Sequence, residues 1–222
     1  MNTQAVFHHN EFYHVYNRTN NQELLFRSEE NYSFFLRRYK YYLSPFLFVH
    51  AYALLPNHFH LSVRIKSEED IIQHLESVPA DERTVAISQY TSANDKEEFI
   101  DNLIIHQHQR FFISYAQAFN KMYSRNGNLF ARKFKRSQFE FEAKFKYLQY
   151  YIHHNARKHG IVKHFLDDEH HSYSKTISND NSLIDTSFVL DTFGSLEKFV
   201  SFHDKVHAMK EFYGLEIEED GF

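Results

Sequence analysis

The chain has 222 residues, 42% of them hydrophobic, with 24 Phe, 15 Tyr, 17 His and no Cys or Trp. That length suits one main domain with appendages, and the absence of Cys excludes disulfides and thiolate metal sites. The net charge of -4 hides an asymmetry. Residues 110–163 hold 12 Lys or Arg against two acids (+10), while the rest holds 13 basic against 27 acidic residues (-14). A local excess of this size attracts a polyanion whatever the total.

The N-terminus lacks the basic start and apolar run of a signal peptide. No apolar run approaches the roughly 18 residues needed to span a membrane. A soluble, cytoplasmic protein is expected. Glu11 to Arg18 is rich in aromatic and β-branched residues and predicts a first strand. Residues 28–43 predict an amphipathic helix, with Ser28 as N-cap and Tyr32, Phe35, Leu36, Tyr39 and Leu43 at helical spacing. Phe46 to Leu55 fits a buried second strand. Pro56-Asn57 is a tight turn, and His58 to Ile65 is a third strand antiparallel to the second.

That third strand opens with His58-Phe59-His60. Alternate side chains on a strand share a face, so the two imidazoles point one way and Phe59 points into the core. Two neutral imidazoles side by side suit one metal ion. In a chain with 17 His the triplet alone is better explained as polar residues on a wet strand face.

Residues 66–109 carry acid-rich stretches and predict an inserted, polar, partly helical excursion. The second H-x-H, His106-Gln107-His108, leads into a helix, where residues two apart do not share a face; it is expected at the surface. A helix is predicted over 110–123. Ser124 to Asn128 is a loop with Gly127 as its left-handed residue. Leu129 to Arg136 alternates apolar and basic residues and leads into a strand ending near Phe139-Glu140-Phe141. Basic residues interleaved with aromatics suit phosphate contact with base stacking. The next helix, 142–158, has a face of Phe145, Leu148, Tyr151, Ile152 and Asn155. Tyr151 and Asn155 stand one turn apart on that face. A further helix is expected over 195–213, before an acidic tail.

Four blocks in order resemble the single-tyrosine HUH transposases, in the insertion-sequence and REP-associated branch. They are Tyr13-His14-Val15-Tyr16-Asn17-Arg18, Leu55 to Leu61, Asn126 to Phe130 continuing to Lys135, and Tyr151-Ile152-His153-His154-Asn155 followed by Lys158 to Val162. The resemblance covers roughly residues 11–66 and 110–174. It implies an α+β, ferredoxin-like antiparallel sheet with packed helices, here over residues 1–174, with 66–109 inserted and 175–222 a partly helical C-terminal extension. It implies Tyr151 as nucleophile, and His58, His60 and Asn155 as ligands of Mg²⁺ or Mn²⁺. It also implies a 5′-phosphotyrosine intermediate on hairpin-containing single-stranded DNA, in a bacterial cytoplasmic protein that is nucleoid-associated when bound. Relatives include monomers and homodimers that exchange tyrosine helices. Arg125, Arg132, Lys133, Lys135 and Arg136 are then the expected backbone or hairpin contacts, and Asn126 and Asn128 the base-edge contacts.

The chain departs from the family where Asn155-Ala156 replaces Asn-Pro, so the helix is free to run on. The alternative is a domesticated, non-catalytic binder of hairpin DNA or RNA. A zinc hydrolase has little support, because no H-E-x-x-H occurs.

Overall fold

The computed structural model describes residues 4–131 and 133–207. Arg132 and the acidic tail lie outside them. Four strands, β1 (Phe12–Arg18), β2 (Leu47–Leu55), β3 (His58–Ile65) and β4 (Lys135–Gln138), form one sheet in the order β2-β3-β1-β4. Every pairing is antiparallel. This is the expected α+β sheet. The two central strands are β3 and β1, so the H-x-H strand is paired on both sides.

The alternation of β3 divides its side chains between two layers. Phe59, Leu61, Val63 and Ile65 join Tyr13 and Val15 in a core beneath α1 (Glu29–Leu43) and α4 (Glu97–Met122). Phe59 is fully buried and packs on Phe35, 5.1 Å between ring centroids. Burying such a side chain is worth about 2–3 kcal/mol, and a one-residue slip of β3 would turn it to the opposite face. That requirement fixes His58 and His60 on the other layer.

The second layer is not wet. Phe145, Leu148, Tyr151 and Ile152 of α5 (Phe141–His153) cover it, together with Val189, Phe193 and Phe199. His58 and His60 are buried. The residues after 172 form α7 (Tyr173–Ile177), α8 (Thr186–Phe193) and α9 (Leu196–His203), and α8 and α9 complete the hydrophobic core around α5.

Three expectations are corrected here. The long helix starts at Glu97, not Arg110; α2 (Glu68–Glu76), a short 3-10 turn (Ala80–Glu82) and α3 (Val85–Ser92) precede it in the inserted part. Ile100, Leu103, Ile104, Gln107 and His108 supply its early buried stripe. His108 is therefore no surface histidine. It is fully buried, its Nδ1 2.9 Å from the Ile104 carbonyl, and its ring stacks on Phe134 at 4.6 Å. Lastly, β4 ends at Gln138. Among the described residues no helix is long and apolar enough to cross a membrane.

Candidate active site

His58 sits at the first position of β3, opposite Leu55 of β2 and Arg18 of β1. The His58 and His60 rings are 5.2 Å apart and nearly perpendicular. Two imidazoles bound to one ion at about 2.1 Å, at a near-tetrahedral angle, would place their centroids roughly 5 Å apart. Burial pushes the His58 pKa down to about 3, helped by His159 and Arg18 nearby, while Asn155 pulls weakly the other way. Burial holds His60 well below its usual range, with His14 and His58 adding to the effect. Both rings are thus neutral at pH 7, which is the ligating form.

The Nδ1 atoms have partners that orient the rings. His58 Nδ1 is 2.7 Å from Asn57 Oδ1. An amide oxygen only accepts, so His58 donates from Nδ1 and its lone pair lies on Nε2. His60 Nδ1 is 2.9 Å from His14 Nε2.

Tyr151 and Asn155 come from the helix above. After Asn155-Ala156 the chain continues as α6 (Asn155–Lys158). One irregular residue, His154 (φ -95°, ψ 4°), joins it to α5. The helical bond from His154 N–H to the Tyr150 carbonyl survives at 3.0 Å, so the Tyr151-to-Asn155 turn is kept. The Tyr151 ring stands edge-on to His60 at 5.6 Å and to His14 at 5.9 Å. Asn155 is fully buried. Its amide approaches His58 but closes no hydrogen bond of ordinary geometry, and His60 Nε2 has no hydrogen-bond partner among the described residues. Buried polar atoms left this way cost about 1–3 kcal/mol each. An ion between them would remove that cost, so the donor set fits a divalent metal. Among the described residues no three His, Cys, Asp or Glu side chains form such a cage.

The helix is anchored from behind by a relay. The Phe199 carbonyl lies 2.9 Å from His203 Nδ1, His203 Nε2 lies 2.9 Å from His153 Nδ1, and His153 Nε2 lies 2.8 Å from Ser172 Oγ. A carbonyl can only accept, which sets every proton in turn: His203 and His153 are each protonated on Nδ1, and the Ser172 hydroxyl donates to His153. Ser172 Oγ then accepts from the Tyr52 amide of β2 at 2.9 Å. Gln149 adds a bond to Ser62 of β3 at 3.0 Å.

The basic residues separate into two kinds. Lys133 and Lys135 are exposed, and the Lys135 ammonium sits 5.4 Å over the Tyr16 ring, itself stacked against His60 at 5.5 Å. Asn126 and Asn128 are exposed on the loop that Gly127 turns with φ +89°. Arg136 points inward instead. It is buried, bonded to the Ala5 carbonyl at 2.6 Å and to Gln4 at 3.2 Å, and paired with Asp101 at 3.4 Å. Arg125 is spent on a two-pronged bridge to Glu23, both contacts 2.7 Å, and on the carbonyls of Gly127 and Asn128. These two shape the loop and strand instead of presenting free charge to a ligand.

The sequence reading missed three residues near the site. Arg18 lies opposite His58 in the strand register. The Lys158 ammonium lies 5.3 Å over the Tyr151 ring, and the His159 ring is 5.2 Å from His58. The Tyr151, Asn155, His159 spacing of four carried a signal for the last.

No family profile and no curated protein matches the sequence. Among solved structures, the fold is similar to that of a REP-associated tyrosine transposase bound to a REP hairpin, with a TM-score of 0.50 and 13% identity over 82% of this chain and 86% of that one. At that identity the likeness is one of fold.

Proposed function

We propose that this chain is a metal-dependent DNA strand transferase or nuclease of the transposase type, acting on single-stranded DNA that carries hairpins. The observation that supports it most is the meeting, within one chain, of the Tyr151 ring with His60 at 5.6 Å and of His60 with His58 at 5.2 Å. Two distant segments converge there and bury three polar groups together. The likeness in fold to a hairpin-bound transposase points the same way.

In this reading Tyr151 attacks phosphorus through its phenolic oxygen. A P–O(Tyr) bond forms as the bond to the 3′ oxygen breaks, the phenol loses a proton and the leaving oxygen takes one up. The product is a 5′-phosphotyrosine and a 3′-OH. Buried neutral His58 and His60, with Asn155, would hold Mg²⁺ or Mn²⁺, whose chemistry is to polarise the phosphodiester and offset charge on the leaving oxygen. Lys158 and Lys135, with Arg18 at the end of β1, draw the DNA backbone to the mouth of the site. Tyr151 is held edge-on by His14 and His60, and α5 is fixed by the Ser172 relay, so the nucleophile arrives oriented.

The test is incubation with hairpin-bearing single-stranded DNA and Mn²⁺, followed by denaturing electrophoresis. A covalent adduct is expected with the natural sequence and none with Tyr151→Phe. An equal adduct with Tyr151→Phe would move the nucleophile elsewhere. Metal-independent hairpin binding with no adduct would favour the non-catalytic binder.

A further inference from the structure

We propose that His14 is a positioning residue for His60: it fixes the His60 proton on Nδ1 and thereby presents the Nε2 lone pair to the ion. This rests on the metal reading above and deepens it.

The geometry begins with the strand order. His14 on β1 pairs with Ser62 of β3, and Tyr16 pairs with His60. His14 and His60 are thus diagonal neighbours on one face of adjacent strands, within reach of each other's long side chains. Their rings lie 5.1 Å apart, stacked at 23°, and His14 stacks on Tyr16 at 4.6 Å. Both imidazoles are buried, and the 2.9 Å contact joins His14 Nε2 to His60 Nδ1.

One proton lies in that contact, and it has two arrangements. If His14 donates, neutral His60 must carry its own proton on Nε2. That N–H would be buried, with no acceptor among the described residues, and unable to ligate. If His60 donates, its Nε2 is a lone pair, aimed into the same layer as His58 and Asn155. The second arrangement makes the two rings of the H-x-H pair equivalent, because His58 already donates from Nδ1 to Asn57. Metal-bound imidazoles commonly give their other N–H to an acceptor that fixes tautomer and orientation, and removing that acceptor costs 10–100-fold in affinity or activity. Asn57 fills that place for His58, and His14 fills it for His60. His14 also touches the edge of Tyr151, so one side chain indexes both the ligand and the nucleophile.

The experiment compares the natural full-length chain with His14→Gln and His14→Leu. The Gln amide oxygen can stand near the position of Nε2 and accept the same bond; Leu cannot. Long-range proton–nitrogen spectra of the metal-free proteins report the His60 tautomer, and calorimetric titration with Mn²⁺ alone reports affinity. The expected result is a proton on Nδ1 of His60 in the natural chain and in His14→Gln. In His14→Leu the proton should move toward Nε2 and Mn²⁺ affinity should fall by about tenfold or more, with most of it restored by Gln. A natural chain with His60 protonated on Nε2 overturns the proposal, as does an unchanged tautomer and affinity in His14→Leu. If His14→Leu does not fold, the tautomers of the natural chain and the Gln variant still decide. His58→Ala is the reference: if it leaves Mn²⁺ binding intact, the metal reading fails, while the metal-free spectra still report whether His14 holds His60.

Discussion

Lowering the pH from 7.0 to 5.5 should destabilise this protein by about 5 kcal/mol, because its interior stores neutral imidazoles. Burial brings His50 and His203 down to about 3 and His108 to about 4, and holds His153 well below its ordinary range. All four lie outside the H-x-H pair. In the unfolded chain each titrates near 6.5. The folded state therefore stays unprotonated while the unfolded state takes up protons, so stability is full above pH 6.5 and is lost as pH falls toward the folded values. Each histidine costs about 1.2 kcal/mol over this interval, and four cost about 5 kcal/mol. A total stability of about 5–15 kcal/mol leaves little in reserve. The measurement is urea unfolding by far-ultraviolet circular dichroism at the two pH values, without metal. His50→Leu is the informative variant. Both His50 nitrogens are buried without hydrogen-bond partners among the described residues, and the ring lies 4.7 Å from Phe188 and 5.4 Å from Phe145. The substitution should stabilise the protein by about 1 kcal/mol at pH 7 and remove one proton from the uptake on unfolding. A loss of less than about 2 kcal/mol between pH 7.0 and 5.5, or an unchanged uptake in His50→Leu, would refute the claim that these rings are dry and neutral.

Two further outcomes separate structural from ligand-facing charge. Arg136→Ala should cost about 3 kcal/mol in the same urea assay, because Asp101, Gln4 and the Ala5 carbonyl lose a shared partner; hairpin affinity, measured by fluorescence anisotropy below the unfolding midpoint, should be unchanged. Lys135→Gln should leave stability within about 0.5 kcal/mol but weaken hairpin binding and reduce the slope of log affinity against log salt by about one.

These contrasts show where local pattern carries the answer and where it stops. The period-2 rule put Phe59 in the core and the two histidines on one face, and the helical period put Phe145, Leu148, Tyr151, Ile152 and Asn155 on one side of the α5–α6 segment; all five are buried. Such inferences need only one element at a time. The early half of α4 was hidden because Glu97, Glu98, Asp101 and Asn102 dominate its composition, although Ile100, Leu103, Ile104 and His108 keep the helical spacing. Arg136 looked like its basic neighbours because the partners that draw it inward, Gln4, Ala5 and Asp101, are 35 to 132 residues away.

His14 makes the same point about the site. It stands in a block that already carried a resemblance, yet nothing in that block says which strand lies beside it. Only the order β2-β3-β1-β4 sets His14 against His60. One strand was enough to put His58 and His60 on one face, whereas Tyr151 was singled out as a nucleophile only through the resemblance. His14, proposed to position His60, belongs to neither element, so its place beside them becomes visible only when the sheet is assembled. A three-residue motif such as His58-Phe59-His60 is therefore half a description of its own surroundings. The other half lies in the Nδ1 partners, Asn57 from the turn at 2.7 Å and His14 from the neighbouring strand at 2.9 Å.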